Sequence, residues 1–188
     1  MKYFGIALVF ALFMGGCTYK NETLNLAPYA PQYVGPKAQL SKTIYLRSVR
    51  DTRSDKSRIG SLVDDGRVVA PLMSNADFEN SYRQGLLSAL KSAGFNTDTS
   101  AKSANLVVEV FIKQIDIVHN DKNFDTNLQG LIDIEVIAKR GNETIKQNFK
   151  QKGSKWIKPS FDSKDLEPFL YELFADSIDQ IAIRLTGL

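Results

Sequence analysis

Cysteine, histidine and tryptophan each occur once in this 188-residue sequence, as Cys17, His119 and Trp156. A single thiol cannot close an intramolecular disulfide, and one histidine with one cysteine does not supply the spaced ligands of a zinc site. The same scarcity argues against nucleophilic catalysis, which needs an activated nucleophile beside a base. No Gly-rich phosphate-binding loop occurs either. We therefore expect a protein that is not an enzyme and that carries no cofactor or metal.

The most apolar stretch opens the chain, where Lys2 precedes the uncharged segment 3–16. At about 14 residues it is shorter than the roughly 20 residues that a membrane-spanning helix needs, so it is typical of an export signal. The triplet Gly15-Gly16-Cys17 resembles the bacterial lipobox, in which small residues precede a cysteine that becomes acylated. We expect cleavage between Gly16 and Cys17 and lipidation of Cys17.

An acylated Cys17 implies a firm attachment to a membrane. A lipoprotein cysteine carries three acyl chains, and several chains anchor a protein far more durably than one. Thr18 stands where bacterial lipoproteins retained at the inner membrane typically have Asp. By resemblance to that sorting pathway we expect the outer membrane, with the protein on its periplasmic face rather than at the cell surface.

The sequence divides into three parts: a signal segment at 1–16, a lipidated N-terminus with a tether at 17–42, and one domain at 43–188. The tether contains three of the six prolines, which favour extended chain. The tether is either a plain solvated linker, or its tyrosines rest on the surface of the domain or on the lipid headgroups. These tyrosines are Tyr19, Tyr29 and Tyr33.

The domain shows two helical and several strand patterns. Apolar stripes with helical spacing predict helices over 75–94, capped by Ser74 with Asp77, and over 163–185, with Pro168 in the first turn. Alternation predicts strands over 43–49, 104–119 and 127–140, with a bulge near Lys113, and a return strand through Ile145 and Phe149. The charged segment 50–73 is expected to be a loop with a short strand at 68–70. We predict an α+β domain in which two amphipathic helices cover one face of a mostly antiparallel sheet of about four strands.

One basic cluster stands out in that loop region. It consists of Arg47, Arg50, Arg53, Lys56 and Arg58. Asp51 and Asp55 interleave it, so it either meets an anionic partner, such as lipopolysaccharide phosphates or an acidic protein, or pairs internally in a solvated turn. The net charge of +3 falls to about +2 without Lys2, too little for the basic face of a nucleic-acid-binding protein.

The segment 121–127 imitates the start of a calcium loop, with Asp121, Asn123 and Asp125 at alternate positions. Such a loop next requires Gly and later a bidentate Glu, but Thr126 and Ile132 stand at those places. We therefore expect a polar hairpin turn instead of a calcium site.

Several features together resemble the YajG-type family of outer-membrane lipoproteins. They are the lipobox at Cys17, the first strand followed by an Asp-x-Arg turn at Asp51 and Arg53, the helix in "YRQGLLSALKSAGF" and the strand "ANLVVEVFIKQI". The resemblance covers about residues 41–185. It implies a class of protein and a cellular location but no activity.

Three hypotheses for function follow. The first is a non-enzymatic accessory or binding module of the outer membrane, whose partner is an outer-membrane protein or lipopolysaccharide. The second is a surface-exposed adhesin that contacts host or other cells. The third is an enzyme that uses carboxylates such as Asp133 and Glu135, although alternate residues on a strand more commonly form a solvated face. The sequence does not specify an oligomeric state.

Overall fold

A computed structural model of the protein describes residues 21–39, 42–120, 127–158 and 161–188. These residues form a seven-stranded mixed sheet and two helices. The strands are β1 (Glu22–Leu24), β2 (Ile44–Asp51), β3 (Arg58–Asp64), β4 (Arg67–Ser74), β5 (Leu106–Asn120), β6 (Leu128–Arg140) and β7 (Glu143–Lys155), and the helices are α1 (Phe78–Ser92) and α2 (Ser163–Thr186). The predicted α+β class is confirmed, whereas four antiparallel strands are too few. Cys17, the signal segment and residues 121–126 of the imitated calcium loop lie outside the described residues.

The long strand β5 organises the sheet. Strand β6 pairs with it in antiparallel orientation on one side, and β2 and β3 lie end to end on the other, both parallel to it. The parallel pairing arises because the connection from β2 to β5 contains α1, and parallel neighbours require such a long crossover. The predicted bulge is confirmed by a register shift between Ile112 and Gln114.

The hairpin of β3 and β4 replaces most of the loop predicted over 50–73. Its two-residue turn has positive φ at both positions, 52° at Asp65 and 74° at Gly66. Positive φ at both positions is typical of the type I′ turn, which joins the two strands of a hairpin, and Asp-Gly is a strong sequence signal for that turn. The many charges around the turn hid this signal from an interpretation based on hydrophobic alternation.

Both helices were predicted correctly, with different details at their N-terminal ends. Helix α1 is capped by Asp77, not Ser74, and the Asp77 carboxylate accepts a hydrogen bond from the backbone N–H of Asn80 at 3.0 Å. The chain leaves α1 through Gly94, whose φ of 92° suits glycine. Asp162 caps α2, and Pro168 lies in its second turn rather than its first.

The helices pack together on one face of the sheet. The rings of Tyr82 and Phe174 meet edge to face at 4.7 Å, and the Tyr82 hydroxyl lies 2.6 Å from the Ser177 hydroxyl. Helix α2 approaches the sheet closely at the paired Gly130 and Gly153. A Cβ atom at Gly130 would stand only 2.3 Å from Leu173, so the glycine leaves the space that the helix fills.

Residues 21–39, which make up most of the described part of the predicted tether, lie against the domain. Strand β1 pairs with β4, and Leu24 is fully buried in the core. The Tyr29 hydroxyl hydrogen-bonds Asp179 of α2, and the Ala38 N–H donates to the Ala93 carbonyl at 2.7 Å. Tyr33 also packs against the core, so both of these tyrosines rest on the domain, while Tyr19 lies outside the described residues.

Leu24→Ala should therefore lower the free energy of unfolding by about 2–5 kcal/mol, because it leaves a cavity in a packed core. Val34, in the same segment, is 95% exposed, and Val34→Ala should leave stability unchanged. Urea unfolding of a soluble variant that starts at Thr18 measures both. Equal stability of the two variants would contradict the packing of this segment.

Candidate binding surface

The turn between β2 and β3 is built around a buried ion pair. The side chains of Asp51 and Arg53 are only 4% and 5% exposed. The Arg53 Nε lies 3.0 Å from one Asp51 carboxylate oxygen, and its Nη2 lies 2.7 Å from the other. This two-point contact is the strong form of an arginine–carboxylate pair. The remaining guanidinium donors reach the carbonyls of Arg58 and Lys56 at 2.9 and 2.7 Å.

Helix α1 supports this turn from the core side. The guanidinium of Arg53 lies 5.1 Å from the centre of the Phe78 ring. Glu79 accepts hydrogen bonds from the Asp51 backbone N–H at 2.9 Å and from Lys56 Nζ at 3.0 Å. These two bonds, the backbone N–H first, lower the pKa of Glu79. The Asp-x-Arg turn is therefore an architectural element that joins the sheet to the helix.

The structure does not bring the five predicted basic residues together as one free patch. Arg53 is buried, so it cannot meet an external anion, and Lys56 is paired with Glu79. Arg47 lies 3.6 Å from Glu109, and Arg50 is exposed on β2. For Arg53 and Lys56 these contacts agree with the second alternative, internal pairing within the turn.

The sheet has a second candidate surface. We name it the open face and define it as the side of β2, β5, β6 and β7 that is opposite the helices. Among the described residues, no helix covers it. It carries half-buried apolar side chains, namely Tyr45, Phe111, Val118, Leu131 and Ile137. Basic side chains also lie on it, namely Arg47, Arg50, Lys113, Lys139, Lys146, Lys150 and Lys152. Its acidic side chains are fewer, namely Glu109, Asp116, Asp133 and Glu135.

Ion pairs between neighbouring strands neutralise part of the charge on the open face. Lys146 lies 2.8 Å from Glu135, and Lys150 lies 3.2 Å from Asp133. These pairs are partly exposed and each contributes about 0–1 kcal/mol. Asp133 and Glu135 thus each face a lysine of β7 across the strand pair. The outward-facing basic residues without an ion pair among the described residues are Arg50, Lys113, Lys139 and Lys152.

A shallow cleft crosses the open face. Its larger part, about 610 Å³, is lined by residues of β5, β6 and β7 that include Asp116, Leu131 and Lys152. A smaller part, about 240 Å³, continues past Asp116 to Arg58 and Lys113. Burial raises the pKa of Asp116, and the charge of Arg58 partly opposes that rise. The cleft thus combines apolar floor with mainly basic walls.

His119, the single histidine, is 1% exposed and packs against Phe161 with ring centres 4.2 Å apart. Within the described ranges, no group of three or more His, Cys, Asp or Glu side chains could hold a metal ion. The sequence interpretation missed the open face because its members are spread from residue 45 to 154. The alternation of lysines in β7 was the available signal.

The architecture defines the class: an α+β domain with two helices on one face of a mixed sheet. A crystal structure of an uncharacterized protein has this fold with a TM-score of 0.58 and 10% identity, covering 88% of this chain and 99% of the other. A Xanthomonas campestris protein of the DUF330 family matches with a TM-score of 0.54 and 11% identity, covering 90% and 93%. A hemagglutinin homolog from Helicobacter pylori reaches a TM-score of only 0.32, which is too low to support an argument.

The chain belongs to a family described as uncharacterized lipoproteins, whose model matches residues 36–183. This match confirms the YajG-type resemblance. No curated protein matches the chain. The family suggests a membrane-anchored envelope protein, and neither helix in the described ranges is long and apolar enough to cross a membrane.

Replacement of Arg53 by Ala should lower the free energy of unfolding by about 3–5 kcal/mol, because it leaves the buried Asp51 carboxylate without its partner. The matched control, Arg50→Ala, removes an exposed arginine of the same cluster and should change stability by no more than about 0.5 kcal/mol. Chemical denaturation of the three proteins gives the comparison. A cost below about 1 kcal/mol for Arg53→Ala would contradict the architectural role of the turn.

Proposed function

We propose that this lipoprotein is a non-enzymatic accessory of the outer membrane that binds an acidic segment of an outer-membrane protein through its open face. The observation that carries the proposal is the composition of that face. Half-buried apolar side chains lie among basic side chains, several of which have no ion pair among the described residues. Basic groups around an apolar centre favour an acidic partner through electrostatic complementarity.

The anchor in this proposal is an acylated Cys17. The family of lipoproteins and the lipobox at Gly15-Gly16-Cys17 support it. Thr18, in place of a retaining Asp, supports the outer membrane, and the periplasmic face is where an accessory would meet the inner side of an outer-membrane protein.

The chemistry of the cleft favours binding over catalysis. The carboxylates of Asp133 and Glu135 each face a lysine, and His119 is buried against Phe161. Asp116 is the acidic residue in the larger part of the cleft. Asp55 lines the smaller part, where its carboxylate accepts hydrogen bonds from the Ser57 hydroxyl and the Arg58 N–H. A general acid–base mechanism requires a second positioned group in reach of the substrate.

Cross-linking in living cells tests the partner. Tagged wild-type protein should yield one dominant membrane-protein adduct, and Cys17→Ala, which lacks the anchor, should lose it. The double variant Arg50→Glu/Lys152→Glu should also lose most of the adduct, because it reverses two open-face charges that have no ion pair among the described residues.

Lys164→Glu, which reverses an exposed charge on α2 instead, is the matched control and should keep the adduct. If lipopolysaccharide were the only molecule cross-linked, the partner would be a lipid and the proposed protein partner would be wrong. Digestion of the domain by protease added to intact cells would favour the surface-exposed adhesin and contradict the periplasmic accessory.

A further inference from the structure

One end of the sheet gathers exposed apolar side chains. Val68 is 60% exposed, Val69 is 39% exposed and Trp156 is 52% exposed. Among the described residues, the other exposed large apolar side chains are Val34 and Ile183. Ile183 lies near the C-terminal end of α2, whereas Trp156 precedes the N-terminal end of that helix. Val68 and Val69 lie on β4, and Trp156 directly follows β7.

Strand registers place Val68 and Trp156 at nearly the same level. Val63 pairs with both Val68 and Asn120, so these residues share one row across β4, β3 and β5. The Asn120 N–H donates to the Asn127 carbonyl at 2.7 Å, which extends the row to the start of β6. Because Leu128 pairs with Lys155, the last residue of β7, Trp156 lies one residue further outward. Four strand spacings of about 4.8 Å separate Val68 from Trp156, roughly 19 Å.

The backbone beside Trp156 is held in place. The side-chain amide of Asn127, itself buried, accepts a hydrogen bond from the Ile157 N–H and donates one to the Ile157 carbonyl, both at 2.8 Å. Ile157 is buried in consequence. The exposed indole next to it is therefore presented by a fixed segment.

The direction of β1 points to the same end. Strand β1 runs parallel to β4 with Glu22 beside Leu72, so the N-terminal end of β1 is directed towards Val68. Val68 lies four residues from Leu72, about 13 Å along the strand. Cys17 lies five residues before Glu22 and can be at most about 18 Å away.

We propose that this end of the sheet rests on the lipid surface, with Val68, Val69 and Trp156 in the headgroup region. The inference rests on the acylation of Cys17 in the proposed function. Acyl chains at Cys17 bring the bilayer within reach of this row, and tryptophan is enriched at membrane–water interfaces. The open face then stands roughly along the membrane normal, where it can meet the side of a neighbouring membrane protein.

Trp156 is the only tryptophan, so its fluorescence reports on the proposal directly. The acylated protein is reconstituted into vesicles of phosphatidylethanolamine and phosphatidylglycerol that contain a minor fraction of phosphatidylcholine brominated near the headgroup. We expect a blue-shifted emission, strong quenching by the brominated lipid and weak quenching by aqueous acrylamide. Val68→Asp should lose most of the lipid quenching, whereas Val34→Asp, far from this row, should keep it.

A flexible spacer of twenty residues inserted after Lys20 serves as a second test that leaves the domain untouched. The spacer should weaken the quenching of Trp156 by the brominated lipid, because the longer link to Cys17 no longer holds Val68 and Trp156 at the membrane surface. Vesicle flotation separates the two proposals. Protein that floats while Trp156 remains open to acrylamide would overturn the contact but leave the anchor intact. Protein that does not float would overturn the anchor and the contact with it.

Discussion

The buried pair of Asp51 and Arg53 is the constraint on which the sheet depends. It closes a turn that lets one chain run twice along the same edge of β5, first as β2 and then as β3. A long central strand would otherwise expose half of that edge to other chains, which proteins generally avoid. The pair is costly to bury, but its geometry satisfies the guanidinium with one carboxylate and two carbonyls.

The rest of the molecule is arranged around that edge. Glu79 and Phe78 tie the turn to α1, and the Tyr82–Ser177 contact ties α1 to α2. Both helices therefore lie on one face, and the N-terminal segment closes the β4 edge as β1. The consequence is a domain with one face covered by helices and one open face, and the proposed binding surface follows from this asymmetry.

Much of the fold was predictable because its signals are local. The alternation in β6 and the apolar stripe of α2 each lie within one stretch of sequence, and burial on one face explains both patterns. The hairpin at Asp65-Gly66 had a local signal as well, but surrounding charges masked it. The candidate site was less predictable. Arg53 and Arg50 look equivalent in sequence, yet one is buried and the other exposed.

The amino-acid sequence by itself determined the class of protein, the candidate anchor at Cys17 and most of the helices and strands, since these depend on composition and on short-range periodicity. Only the tertiary structure decided the parallel pairing of β2 and β3 with β5, the packing of residues 21–39 and the makeup of the open face. Those features depend on residues far apart in the chain. In the sequence, Leu24 lies in a stretch that looks like a linker, and only the folded structure shows that it is buried. Lys152 becomes part of the open face because β7 pairs with β6.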